Sequence, residues 1–367
     1  MQSFRYFDWI SCILTLALAI VGIFFIFSAT YSPLVPYSIF FKKQAAGIVG
    51  GIIIYVLISR SKSKSLLYWG HMLYIPVIAL LLLTLIKGSV GMGGQRWINL
   101  FFIKIQPSEL AKALFPAYIA GTIHQQKNYQ FSFVKFLPLL MVQLLSFILI
   151  LKQPDLGTAL VFLFTGMLLV WAAGMPSRFF LYGAVVLCMS TPLIWGYVLK
   201  EYQKNRIRVF LGQGNAHKER YQIEQAHIAI GSGALTGKGF LKGTQNKFRF
   251  LPEGRTDFIF AVLCEEWGFL GAFGMLMLYL LLFLRILNHI NAIKTVSMHI
   301  LAIGILANIL FSTIINIGMV IGLLPVVGVP LPLMSYGLSN LWVTLASFAW
   351  LQAIVIDECT VNTYLKK

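Results

Sequence analysis

Two short polar strings interrupt an otherwise apolar chain of 367 residues, and each sets a carboxylate at the start of a hydrophobic run. One is Gln106-Pro107-Ser108-Glu109-Leu110-Ala111-Lys112; the other runs from Leu251-Pro252-Glu253-Gly254-Arg255 into Thr256-Asp257-Phe258-Ile259-Phe260. A charge at such a position is costly unless it has a partner or a task. Glu109 and Lys112 lie three residues apart, about 60° around a helix, so they can pair. The pair either braces a bundle or lines a cavity, with Arg96 of the preceding Gly91–Trp97 segment nearby. Asp257 has no opposite charge one turn on, since Phe260 and Ala261 stand there. That suits a general base at the lip of a helix. On a continuous helix Glu265 is about 80° from Asp257 and Glu266 about 180° away, so only Glu265 could share its face. Asp155, in Gln153-Pro154-Asp155-Leu156-Gly157-Thr158, is placed to cap the helix that follows.

Other candidates are weaker. Ser232–Gly239 resembles a phosphate loop but has Ser232 where a glycine is needed and Gly239 where Ser or Thr is needed, which excludes a nucleotide-hydrolysis reading. A glycine-rich turn that lets backbone approach a ligand remains open. Cys12, Cys188, Cys264 and Cys359 have neither metal-ligand nor redox spacing, and the six histidines show no ligand pattern.

Composition fixes what must position these groups. Hydrophobic residues make up 58% of the chain and charged residues 11%, with a mean hydropathy of +0.81. Soluble domains keep about a quarter of their residues charged. The apolar runs are long and unbroken, which predicts membrane helices. The expected fold is an all-α polytopic membrane protein of one domain, residues 1–367, with ten spans. They fall near 9–29, 37–58, 66–86, 107–122, 133–151, 157–174, 179–199, 257–284, 299–323 and 335–356. The first run lacks a small-residue cleavage site, so it is expected to stay as a span. In span 2, Gly47 and Gly51 predict close helix packing.

Short loops set the orientation. Arg5, Arg60, Lys62, Lys64, Lys127, Lys135, Arg178, Arg285, Lys294, Lys366 and Lys367 lie on one side. Lys42, Lys43, Lys87, Arg96, Lys104 and Lys152 lie on the other. Both termini are therefore expected in the cytoplasm, with both polar strings on the outer face. The long loop 200–256, between spans 7 and 8, carries eleven basic residues against four acidic ones. Arg206, Arg208, Lys247 and Arg249 in it are expected to hold an anionic substrate at the membrane surface, or else to contact lipid headgroups. Residues 222–230 within it read as an amphipathic helix lying on the membrane.

Strings along nearly the whole chain resemble the SEDS family (shape, elongation, division, sporulation), in its RodA rather than its FtsW branch. They are Gly94-Gln95-Arg96-Trp97-Ile98 with Gln106–Lys112, then Gln153–Thr158, Tyr221-Gln222, Gly237-Lys238-Gly239 and Gly243-Thr244-Gln245. Leu251–Ala261, Glu265-Glu266-Trp267-Gly268 and Pro330–Gly337 complete the set. The resemblance implies a peptidoglycan glycosyltransferase polymerising lipid II on the outer face of the cytoplasmic membrane. The family's essential aspartate falls on Asp257, its Glu/Lys pair on Glu109 and Lys112, and its loop arginine on Arg96. It also implies a divalent cation (Mg2+ or Mn2+) and a class B penicillin-binding protein within an elongation complex, in contact with membrane lipids and with no nucleic acid. Two departures stand out: Gly212-Gln213 where Asp-Pro is common, and Gly254-Arg255 where Gln/Ala-His is common. A lipid II flippase and a non-catalytic scaffold are the alternative functions.

Overall fold

The computed structural model describes residues 6–91, 94–100, 103–125, 133–213, 217–248 and 250–364. Helices α1 (Trp9–Thr30), α2 (Ile39–Ser59) and α3 (Ser63–Lys87) lead into strands β1 (Ser89–Gly91), β2 (Gly94–Leu100) and β3 (Ile103–Ile105). Next come α4 (Pro107–His124), α5 (Phe133–Lys152), α6 (Leu156–Ala172) and α7 (Ser177–Leu193), the last running into a π-turn at Ile194–Val198. Short helices α8 (Glu201–Phe210), α9 (His217–Ser232) and α10 (Thr244–Lys247) occupy the long loop, and α11 (Ile259–Asn291), α12 (Val296–Val320) and α13 (Leu338–Tyr364) end the chain. A helix stands at each of the ten apolar runs. Among the described residues, eight are long and apolar enough to cross a membrane. The other two are α6, at 17 residues, and α4, which carries Glu109 and Lys112. The strands form a small antiparallel meander in the order β1-β2-β3, an addition to the expected all-helical plan.

Helices α12 and α13 are the most buried and form the centre. The prediction for Gly47 and Gly51 holds. A Cβ at Gly47 would stand 2.4 Å from Leu338 Cδ2, and one at Gly51 2.3 Å from Leu345 Cδ1, so α2 rests directly on α13. Trp342 Nε1 donates to the Gly47 carbonyl at 2.8 Å. At the edge, α7 has no buried residue. At the end of the bundle away from the long loop, Asp8 pairs with Arg285 at 3.1 Å and His289 at 2.8 Å, tying the start of α1 to α11.

The run 257–284 does not form one straight helix. α11 has 33 residues, roughly 50 Å at 1.5 Å each, and it is broken at Gly268 (φ 64°, ψ −161°). The glycine-rich segment after α9 fills the break. Lys238 N donates to the Glu265 carbonyl (3.0 Å) and Gly239 N to that of Glu266 (2.9 Å). In return, Phe269 N and Leu270 N donate to the carbonyls of Ala234 (2.8 Å) and Leu235 (3.0 Å). Backbone groups freed within a membrane must find such partners, because lipid offers none. The close backbone approach that glycine permits is thus spent on α11 itself, and no ligand is needed to explain it.

Three sequence expectations change. Asp257 lies two residues before α11, so helical-wheel angles from it do not apply. Glu265, fully buried, accepts from Lys238 Nζ (2.6 Å), Thr244 N (2.7 Å) and Gln245 N (3.1 Å), and so anchors the loop. Glu266 accepts from the Ser28 hydroxyl on α1. The amphipathic helix exists as α9, but its buried Ala226 and Ala229 belong to a face packed against α11 rather than a face turned to lipid.

Candidate active site

Asp257 sits on a tight turn, Glu253 to Phe258, immediately before α11. Thr256 N and Phe258 N both donate to the Glu253 carbonyl, at 3.0 and 3.3 Å, and Thr256 Oγ1 donates to Glu253 Oε2 at 3.0 Å. Three successive carbonyls of the turn are then fixed from outside. Tyr336 N donates to the Arg255 carbonyl (2.9 Å), Ser335 Oγ to that of Thr256 (2.5 Å) and Asn316 Nδ2 to that of Asp257 (2.9 Å). Asn316 is fully buried on α12 and also holds the Val329 carbonyl at 2.7 Å. The backbone is pinned and the residue is half-buried, and its carboxylate has no hydrogen-bond donor among the described residues. Gly328 lies against it: a Cβ there would stand 3.3 Å from Oδ2.

Burial raises the Asp257 carboxyl, and the charge of Glu253 raises it further. Arg96 and Arg206 act the other way and Asp155 adds a smaller rise, leaving it at about 6. Five charged groups from four segments of the chain therefore meet here. β2 brings Arg96, whose Nη1 lies 3.7 Å from Asp155 Oδ1 and whose Nε donates to the Gln153 carbonyl at 3.2 Å. Asp155 caps α6 as the sequence predicts, accepting from Thr158 N at 3.3 Å. Its second oxygen accepts from Gln106 Nε2 at 2.8 Å and Ser108 Oγ at 3.4 Å, which locks the start of α4 to α6.

The other predicted residues separate. Glu109 and Lys112 pair at 2.9 Å and are 3% and 4% exposed, so they stand inside the bundle rather than on the wall beside Asp257. Asn340 of α13 donates to the other Glu109 oxygen at 3.1 Å. Arg206 of α8 lies close enough to act on Asp257 and stacks near the Tyr202 ring at 5.8 Å. Arg208 instead turns to Glu201 (3.4 Å) and Asn205 (3.1 Å) on its own helix. Lys247 lines a different cleft, and Arg249 lies outside the described residues. The basic excess of the loop is thus not one patch. Sequence reasoning passed over Asn316, one of two amides in an apolar run with Asn308, and Ser335, which lies within the quoted Pro330–Gly337 string.

The buried pair gives a direct test. Glu109→Gln alone or Lys112→Met alone leaves a charge without its partner in a low-dielectric interior, and each should cost about 3–5 kcal/mol of stability. The double variant should cost clearly less than the sum, read by thermal unfolding of the purified protein. Strictly additive losses would mean the ion pair is not coupled.

A bundle of apolar helices around a pinned carboxylate flanked by arginines defines a membrane protein built for chemistry at one face. The family model described as a cell cycle protein, FtsW/RodA/SpoVE, matches residues 8–358, and the chain belongs to that family. Peptidoglycan glycosyltransferase MrdB of Escherichia coli (strain K12) is 36% identical over 321 residues, 85% of each chain. Among solved structures, a chain from work on the coordination of polymerization and crosslinking by a peptidoglycan synthase complex superposes with a TM-score of 0.81. It is 27% identical, over 96% of this chain and 98% of that one. The Thermus thermophilus rod shape determining protein RodA gives a TM-score of 0.71 at 28% identity, over 96% and 97%.

Proposed function

We propose that this chain is a peptidoglycan glycosyltransferase that polymerises lipid II during cell-wall elongation, with Asp257 as its general base. The observation that carries the reading is Asp257, half-buried, held by its backbone, with its carboxyl raised to about 6 beside two arginines. A base with that affinity is deprotonated at neutral pH yet keeps more proton affinity than an ordinary carboxylate.

In the reaction, Asp257 takes the proton from the 4-hydroxyl of the acceptor lipid II. The freed oxygen forms a bond to the anomeric carbon of the donor chain, and the bond from that carbon to pyrophosphate breaks. Undecaprenyl pyrophosphate leaves with the electron pair and, being a stable anion, needs no protonation of the kind a glycosidase supplies. Arg206 faces this developing charge. Arg96, donating to two carbonyls and paired to Asp155, shapes the wall and tunes Asp257. Among the described residues no three His, Cys, Asp or Glu side chains converge as a metal cage. A divalent cation, Mg2+ or Mn2+, would supply charge neutralisation at the pyrophosphate.

The reading places ten spans in the cytoplasmic membrane, both termini in the cytoplasm, and Asp257 with the loop 200–256 on the outer face where lipid II headgroups lie. The chain then works as one membrane domain. Its likeness to a chain of a synthase complex that couples polymerization to crosslinking supports a transpeptidase partner, a class B penicillin-binding protein.

The initial rate of glycan formation from lipid II should rise through pH 6 to a plateau near pH 7, and fall roughly tenfold by pH 5, as the base protonates. A rate that stays flat from pH 5 to 8 would rule out Asp257 as the base.

A further inference from the structure

The face that carries Asp257 has a second cleft, of about 760 Å³, between the end of α1, the start of α2 and residues 247–255. Tyr31, Ser38, Phe40, Lys247, Glu253 and Arg255 help line it, whereas Arg96, Asp155, Arg206 and Asp257 do not. One turn thus serves two places, with Arg255 facing the cleft and Asp257 facing the Arg96–Arg206 cluster.

Arg255 is held in place at the cleft by its neighbours. Its guanidinium carbon stacks 3.8 Å from the centre of the Phe40 ring. Tyr336 meets Phe40 edge-on at 5.3 Å, and Tyr336 N bonds the Arg255 carbonyl, so both the platform and the turn are fixed. Arg255 Nε is buried and has no hydrogen-bond acceptor among the described residues. Among the described residues neither Arg255 nor Lys247 has a carboxylate partner, and Glu253 is already bonded to Thr256. A stacked guanidinium keeps its planar fork for an oxyanion, and a buried donor left unmet is costly.

We infer that Arg255 and Lys247 form a second oxyanion site, which holds the pyrophosphate of the acceptor lipid II. This rests on the polymerase reading. Both substrates are lipid-linked pyrophosphates, and only the donor loses its own. The acceptor's pyrophosphate survives the reaction a disaccharide away from the 4-hydroxyl that Asp257 deprotonates. Two such anions repel, so each needs its own cations on its own side of the base. Arg206 serves the leaving group and the Arg255 cleft serves the acceptor.

The test is binding of undecaprenyl pyrophosphate to the full chain in nanodiscs of phosphatidylcholine. Wild type should take up two equivalents. Arg255→Gln should take up one, and Arg255→Lys two, the second about tenfold weaker through loss of the stacked fork. In polymerisation, Arg255→Gln should raise the lipid II concentration for half-maximal rate about tenfold with kcat little changed. Two equivalents retained in Arg255→Gln, or a fall in kcat alone, would overturn the proposal while leaving the polymerase reading intact. So would displacement of the second equivalent by phosphatidylglycerol, which would mark a headgroup site. A wild type that binds no undecaprenyl pyrophosphate would overturn both.

Discussion

Gly268→Ala is expected to deprive the protein of its fold. The residue has φ 64° and ψ −161°, a region that essentially only glycine occupies. A Cβ there would stand 2.3 Å from Gly237 N and 2.7 Å from the Leu235 carbonyl carbon and oxygen. Relief would have to push the glycine-rich segment out of the break, losing the four backbone hydrogen bonds that bridge the two halves of α11. Each unmet group costs several kcal/mol without water, so the loss should exceed about 4 kcal/mol. Size-exclusion chromatography in detergent should show little monodisperse protein. Gly274→Ala, on the same helix with open space around its would-be Cβ, should behave as wild type or slightly better. A Gly268→Ala protein as stable as Gly274→Ala would mean that the break is not required.

The legible parts of the sequence were those set by neighbours along the chain. A run of apolar residues forms its own helix, and Gln106-Pro107 and Asp155 start helices where local chemistry puts them. The break at Gly268 could not be read in this way. The run through it is apolar apart from Glu265 and Glu266, and what makes the break tolerable is a segment about thirty residues upstream. The three-strand meander was missed for a similar reason, because β1 and β3 have three residues each and exist only through pairing with β2. At the site, the i,i+3 spacing foretold the Glu109–Lys112 bond but left open whether it braces the bundle or lines a cavity, a choice that Asn340 and the packing of α13 make. Counting loop cations gave a correct excess but no directions. Arg206 reaches Asp257 through its charge, Arg208 pairs with Glu201 and Lys247 lines another cleft.

Asp257→Asn should reduce glycan synthesis by roughly 10²–10⁴-fold, the range that general base catalysis supplies, with the fold preserved. The turn is held through the Asp257 carbonyl, which asparagine keeps. Stability should even rise at alkaline pH. The folded-state carboxyl is raised from 3.8 to about 6, so its favourable contribution is complete below about pH 4 and lost as pH rises through 6. Asparagine does not titrate. The variant should therefore match wild type at pH 4 and exceed it at pH 8, by at most about 3 kcal/mol and by less to the extent that water reaches the carboxylate. Thermal unfolding of both proteins at the two pH values checks this.

The central claim is that Asp257 catalyses lipid II polymerisation. The direct measurement incubates the purified chain, with a class B penicillin-binding protein, in lipid II and a divalent cation, and resolves the glycan products by length. Wild type should yield long strands, and Asp257→Asn should yield none above background while still unfolding cooperatively. Strands of equal length and yield from Asp257→Asn would contradict the account, as would a wild type that makes no glycan yet moves lipid II across a vesicle membrane.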